Sequence, residues 1–214
     1  MKQNIQRLVT LLAVAGSLGA TLSACVPVIM GGAVVGTAMV ASDRRTSGAQ
    51  LEDEGIELRA VNRIQEALGD RAHINVTSFN RRALITGEVP TALDKQQVEQ
   101  IVLKVDNVQA VVNELAVLGH SSLSTRSSDV LITGRVKASM VDAKDLFANA
   151  FKVVTERGNV YLMGRVTQRE SDRATDIARS TSGVLKVVRV FEIITEEELR
   201  NLQPKPTPVE TKRP

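Results

Sequence analysis

The 214-residue sequence contains no Trp, one Tyr, four Phe, one Cys and two His. Each shortage excludes something. With aromatics at 2%, a core has to be built from Val, Leu, Ile and Ala, and small cores in two units suit that stock better than one large core. A single Cys cannot close an intrachain disulfide. Cys25, His73 and His120 are too few and too far apart for a Cys/His metal cluster. Neither His has a partner in sequence for nucleophilic or acid–base work, and no Gly-rich phosphate loop follows a strand. The paired carboxylates Glu52-Asp53-Glu54 and Glu196-Glu197-Glu198 sit at element ends, where acids support helix starts or face water. No enzymatic activity, cofactor or metal is therefore expected. What remains, 43% hydrophobic and 24% charged residues, is ordinary globular composition.

At the amino terminus, Lys2 and Arg7 lead into an apolar and small run from Leu8 to Leu22. That is the layout of a secretory signal peptide, and the run is short of the roughly 20 residues a spanning helix requires. Leu22-Ser23-Ala24-Cys25 resembles the lipobox of bacterial lipoproteins. The resemblance implies removal of residues 1–24 and acylation of Cys25, palmitate included. Val26 rather than Asp after the Cys implies export to the outer membrane. The competing reading is an uncleaved, glycine-interrupted anchor from Leu8 to Ala41 with Cys25 as an incidental thiol. Gly31, Gly32 and Gly36 disfavour a rigid helix in the apolar stretch that follows. Residues 25–51 thus read as a lipidated Cys and a Gly/Val/Ala-rich tether.

A repeat organises the rest. Residues 83–89 (ALITGEV) align with 160–166 (VYLMGRV) at an offset of 77, placing Gly87 on Gly164. Val98, Ile101, Val102 and Val105 then mark one helix face, matched at offset 76 by Ala174, Ile177, Ala178 and Thr181. Asn107 and Gly183 follow, residue types that tolerate the left-handed conformation ending a helix. Val111, Leu115 and Val117 match Val187, Phe191 and Ile193 as strands. Hairpins at Asn80-Arg81-Arg82 and at residues 156–159 precede the matched strands. Amphipathic helices are expected at roughly 52–69 and 128–147.

Each copy is thus helix, strand, strand, helix, strand, an α+β unit with two helices packed on a three-stranded mixed sheet. The expected organisation is a first domain at 52–118, a linker at 119–126, a second domain at 127–195 and a Pro-rich, disordered tail at 196–214. The motifs Leu84-Ile85-Thr86-Gly87-Glu88-Val89 with Asn107-Val108-Gln109-Ala110-Val111-Val112-Asn113, and Met163-Gly164-Arg165-Val166 with Gly183-Val184-Leu185-Lys186-Val187-Val188-Arg189, resemble the BON domain family. Taken with the lipobox, the chain resembles the dual-BON outer-membrane lipoproteins. That resemblance implies a periplasm-facing protein that binds anionic phospholipid (phosphatidylglycerol or cardiolipin), gathers at the division site and supports envelope integrity.

Charge divides between the copies. Residues 52–118 hold 7 basic and 11 acidic residues, net −4; residues 126–195 hold 12 and 8, net +4. A net-positive second copy suggests that this copy faces an anionic membrane, where each Lys or Arg contributes roughly 1 kcal/mol; the plainer alternative is a solvated charged surface. The resemblance assigns phospholipid contact to the first helix of the second copy, with Leu131, Arg135, Lys137 and Ala138 as candidates and Ile132, Val136, Met140 and Ala143 on its core face. Relatives carry Trp where Leu131 stands. Alternatively, Leu131 packs against the other domain, and the protein is an adaptor for envelope-assembly or cell-wall-remodelling proteins. A pI near 9.2 is compatible with nucleic acid, but stacking aromatics are scarce and export removes the chain from it.

Overall fold

The computed structural model of the protein describes residues 43–202. The expected signal peptide, Cys25, most of the tether and the end of the tail lie outside the described residues. The first copy comprises α1 (Ser47–Leu68), β1 (His73–Phe79), β2 (Arg82–Val89), α2 (Ala92–Leu103), β3 (Ala110–Asn113) and β4 (Ala116–Val117). The second comprises α3 (Leu123–Asp142), β5 (Phe151–Glu156), β6 (Asn159–Val166), α4 (Gln168–Ser180) and β7 (Lys186–Ile193), followed by a short α5 (Glu196–Leu202).

In each copy the central strand pairs antiparallel with the strand before it and parallel with the one after α2 or α4. The parallel partner of β2 is split. Both β3 and β4 pair β2 in one continuous register, and the interruption falls at Glu114 and Leu115. Leu115 turns into the core there, while the Asn113 side chain binds the Lys95 carbonyl and the Glu99 carboxylate. The expected three-stranded arrangement holds, with its third position in two pieces.

Both hairpins have two-residue turns with positive φ at both positions, Asn80-Arg81 (49° and 64°) and Arg157-Gly158 (52° and 75°). This geometry matches the twist of paired strands. Asn107 and Gly183 adopt φ of 68° and 94°, the left-handed conformation expected after the second helix of each copy. The conserved-register glycine pair has a steric cause. A Cβ on Gly87 would lie 2.0 Å from the His73 carbonyl oxygen, and one on Gly164 would lie 2.5 Å from that of Ala150.

The copies have separate aliphatic cores. Ile56, Ala60, Ile64, Val98 and Val102 pack on Ala83, Ile85 and Val89 in the first. Ile132, Val136, Met140, Ala174 and Ala178 pack on Val160, Leu162 and Val166 in the second. A third cluster joins the copies: Phe79 and Leu84 meet Tyr161, Met163 and Val190. The two sheets therefore pack through the faces their helices leave open. Central strands buried on both faces read as continuous apolar runs, as β2 and β6 do.

Several boundaries differ from expectation. Thr46 and Ser122 cap α1 and α3 by accepting the Ala49 and Thr125 amides, so both helices begin about one turn earlier than 52 and 128. The linker is correspondingly shorter than 119–126. Helix α3 ends at Asp142 rather than near 147, because Ala143 leaves helical geometry with ψ of 100°. The tail does not lose structure at Glu196: Thr195 caps α5, and Leu199 is buried.

Candidate lipid-contact surface

Helix α3 buries Asp129, Ile132, Val136 and Met140, the last three as expected for the core face, with Ala143 partly buried just beyond the helix end. At about 100° per residue, the opposite side carries Leu123, Val130, Gly134, Ala138, Val141 and Leu131 within an arc of roughly 100°. Val130, Leu131 and Val141 are 71%, 59% and 68% exposed. Lys137 lies at one edge of this apolar strip and Arg135 at the other. Arg135 reaches the Ser182 carbonyl at 3.4 Å. Lys137 borders a cavity of about 470 Å³ whose lining also includes Asp43, Gln50, Met140, Val141 and Phe151. Leu131, Arg135, Lys137 and Ala138 are all exposed on α3, Leu131 and Ala138 within the strip and the two cations flanking it on either side.

Burying three half-exposed to mostly exposed aliphatic side chains in an apolar phase is worth about 3–6 kcal/mol at roughly 1–2 each. Two flanking cations at an anionic surface add roughly 2 kcal/mol. Long Arg and Lys stems allow the apolar strip to enter while the charges stay at headgroup level.

The charge contrast between copies has a second use. Lys152 pairs with Glu57 at 2.8 Å, Arg157 with Glu88 at 3.1 Å and Lys186 with Glu114 at 4.0 Å, each joining a base of the second copy to an acid of the first. Asn80 also donates to Glu192 at 2.6 Å across the same boundary. Part of the basic excess therefore complements the first domain rather than facing outward.

Two consecutive arginines clasp both copies. Arg44 makes a two-pronged contact with Glu170, 2.7 Å on each prong, and donates to the Arg165 carbonyl. Arg45 pairs with Asp43 and Asp53 and stacks 4.1 Å over the Phe79 ring. Glu170 is 1% exposed and belongs to a capping box with Thr167. Burial opposes its ionisation, but the Arg44 fork and the Thr167 amide outweigh it and hold the carboxyl below its ordinary range. Residues 43–51, expected to belong to the tether, are thus part of the folded body.

Asp53 also departs from expectation. It is 2% exposed and accepts from Ser78 Oγ and from the Asn80 and Arg81 amides, all at 2.7 Å. Asp129 does the same in the second copy, accepting the Arg157 and Gly158 amides at 2.8 Å. Each buried Asp fastens the hairpin turn of its own copy to the first helix. The signal was in the sequence: Asp53 and Asp129 are 76 residues apart, the repeat offset.

Two helices over a mixed sheet, repeated and packed sheet to sheet, define a tandem pair of like α+β domains. The BON domain family signature matches residues 57–119 and 128–195. The chain belongs to the BON domain family. It is 38% identical over 181 residues to the outer membrane lipoprotein DolP of Haemophilus influenzae, covering 83% of this chain and 93% of that protein. It is 30% identical over 154 residues to a 21 kDa hemolysin of Actinobacillus pleuropneumoniae, covering 71% and 79%. Among solved structures it is similar to CdsD, a structural protein of the type III secretion system of Chlamydia trachomatis, at a TM-score of 0.26 and 12% identity over 66% of this chain and 96% of that one. No helix among the described residues is long and apolar enough to cross a membrane.

Proposed function

We propose that this protein is a non-enzymatic outer-membrane lipoprotein, acylated at Cys25 and facing the periplasm, whose second BON domain rests on anionic phospholipid through α3. The observation that carries the reading is the apolar strip of Val130, Leu131, Ala138 and Val141 edged by Arg135 and Lys137. Its similarity to an outer membrane lipoprotein supports the compartment. At roughly 5–8 kcal/mol in all, contact through α3 alone is weak and reversible. Acylation at Cys25 supplies the lasting attachment, and α3 then orients the folded body and reads the lipid beneath it. Support of envelope integrity, with accumulation at the division site, is the cellular role that the likeness to dual-BON outer-membrane lipoproteins implies.

Flotation of residues 43–214 with vesicles containing phosphatidylglycerol or cardiolipin, against phosphatidylcholine alone, tests the contact. Binding is expected only to the anionic vesicles, and Leu131→Glu with Arg135→Glu abolishes it. Binding indifferent to lipid charge or to these substitutions sinks the reading. For the anchor, a Cys25→Ala protein that is still acylated and membrane-bound overturns the lipoprotein assignment.

One observation favours a second reading, an adaptor for envelope proteins. Leu51, Leu58 and Val61 stand exposed on α1, at spacings that place them along one side of that helix. Crosslinking in cells separates the two: a dominant protein partner retained by the Leu131→Glu variant favours the adaptor.

A further inference from the structure

The fold brings together three metal-capable side chains that lie far apart in sequence. His73 opens β1 and Glu88 stands directly opposite it on β2, while Glu156 closes β5 of the other domain. His73 Nδ1 lies 3.1 Å from Glu88 Oε2, and one nitrogen and two carboxylate oxygens from the three residues all fall within 4.8 Å of one another. Neither carboxylate is a solvated surface group: Glu88 is 1% exposed and Glu156 7%. A cavity of about 270 Å³ opens beside them, lined by His73, Asn75, Asp129 and Glu156 among others, and gives an ion and its water a way in.

We propose that His73, Glu88 and Glu156 form a binding site for a divalent transition-metal ion of the zinc class, bridging the two BON domains. Three atoms no more than 4.8 Å apart share a point within about 2.8 Å of each, so bonds of about 2.0–2.2 Å need inward shifts of only roughly 0.7 Å. An imidazole nitrogen beside two carboxylates is a donor set for zinc and its neighbours; magnesium and calcium prefer oxygen alone. The remaining partners are compatible. Arg157 holds Glu88 through Oε1, leaving Oε2 directed at His73, and Asn75 donates to Glu156 Oε2 at 3.3 Å. These contacts orient the ligands from outside, as supporting hydrogen bonds do in metal sites. Asp129 is already engaged by the Arg157 and Gly158 amides and serves as a support rather than a ligand.

Because two ligands come from the first domain and one from the second, binding also ties the domains together.

The test uses the full chain in detergent with Cys25→Ser, so that no thiol competes for metal, and zinc chloride as the probe. Calorimetry is expected to show one saturable site, and the thermal midpoint is expected to rise with zinc. Glu156→Gln and His73→Gln should each weaken binding at least about tenfold, whereas His120→Gln should leave it unchanged. In the parent protein, the His73 ring resonances should move with zinc and those of His120 should not. Absence of a saturable site overturns the proposal, as does parent-level affinity in Glu156→Gln and His73→Gln or a response confined to His120. The resonance measurement stands even if a substituted protein fails to fold.

Discussion

Replacing Asp53 tests whether the buried aspartates hold the hairpins. Four groups converge on it: Ser78 Oγ and the Asn80 and Arg81 amides at 2.7 Å, and Arg45 Nη1 at 2.9 Å. Ser78 is fully buried, so Asp53→Ala leaves its hydroxyl without that partner. A buried polar group left unpaired costs about 1–3 kcal/mol. The two turn amides are reached in part by water and add less, and Arg81 must still hold φ of 64°. The sum is about 3–5 kcal/mol. Asp129→Ala releases only two amides, one of them on Gly158, and is expected to cost about 2–3 kcal/mol. Asp53→Asn keeps one acceptor oxygen and should fall between wild type and Asp53→Ala. Urea unfolding of residues 43–214 measures all three, and amide exchange at Asn80 and Arg81 should quicken in the Asp53 variants. A loss below about 1 kcal/mol for Asp53→Ala, or one no larger than for Asp129→Ala, refutes the reasoning.

Arg44→Ala strands the buried Glu170 carboxylate and should destabilise by about 3–5 kcal/mol at neutral pH in the same unfolding assay. Because the folded-state value of Glu170 lies below its ordinary 4.5, its stabilising contribution is complete above about pH 5 and fades as pH falls through the folded value. Thermal melts from pH 6 to pH 3 should therefore show wild type converging on Glu170→Gln at the acid end. Gly87→Ala combines φ of 113° with a 2.0 Å approach to the His73 carbonyl and should cost at least about 2 kcal/mol by chemical unfolding. Met163→Asp places a charge in the cluster between the sheets; limited proteolysis should then cut between the domains, where the wild-type protein resists.

The internal repeat made the architecture legible. Gly87 and Gly164, the left-handed Asn107 and Gly183, and the spacing of Val98, Val102 and Val105 are local signals that hold whatever surrounds them. Packing between the copies was not legible, because Leu84, Tyr161 and Met163 sit in strands whose apolar residues already had a use under the helices. Their facing the opposite sheet depends on another domain's geometry, which periodicity within one copy does not encode. The same applies to Asp53, which reads as one of three acids near a helix start until the hairpin folds back onto it. Helical spacing alone placed Leu131, Arg135 and Ala138 away from the core face of α3, while Val130 and Val141, equally exposed, were missed. The association of His73 with Glu156 depends on the meeting of two domains and leaves no local trace.

The contact between the sheets draws on some equivalent positions of the two copies: Leu84 corresponds to Tyr161 and Val112 to Val188 by the repeat offset, whereas the counterparts of Phe79 and Val190 are Glu156 and Glu114. It is a dimer-like interface written into a single polypeptide. Each half carries its mate covalently, at an effective concentration that free modules would seldom reach. Severing the chain near Gly119 would therefore yield two fragments with the same exposed appetite, able to re-form the original pair or to mate with copies of themselves.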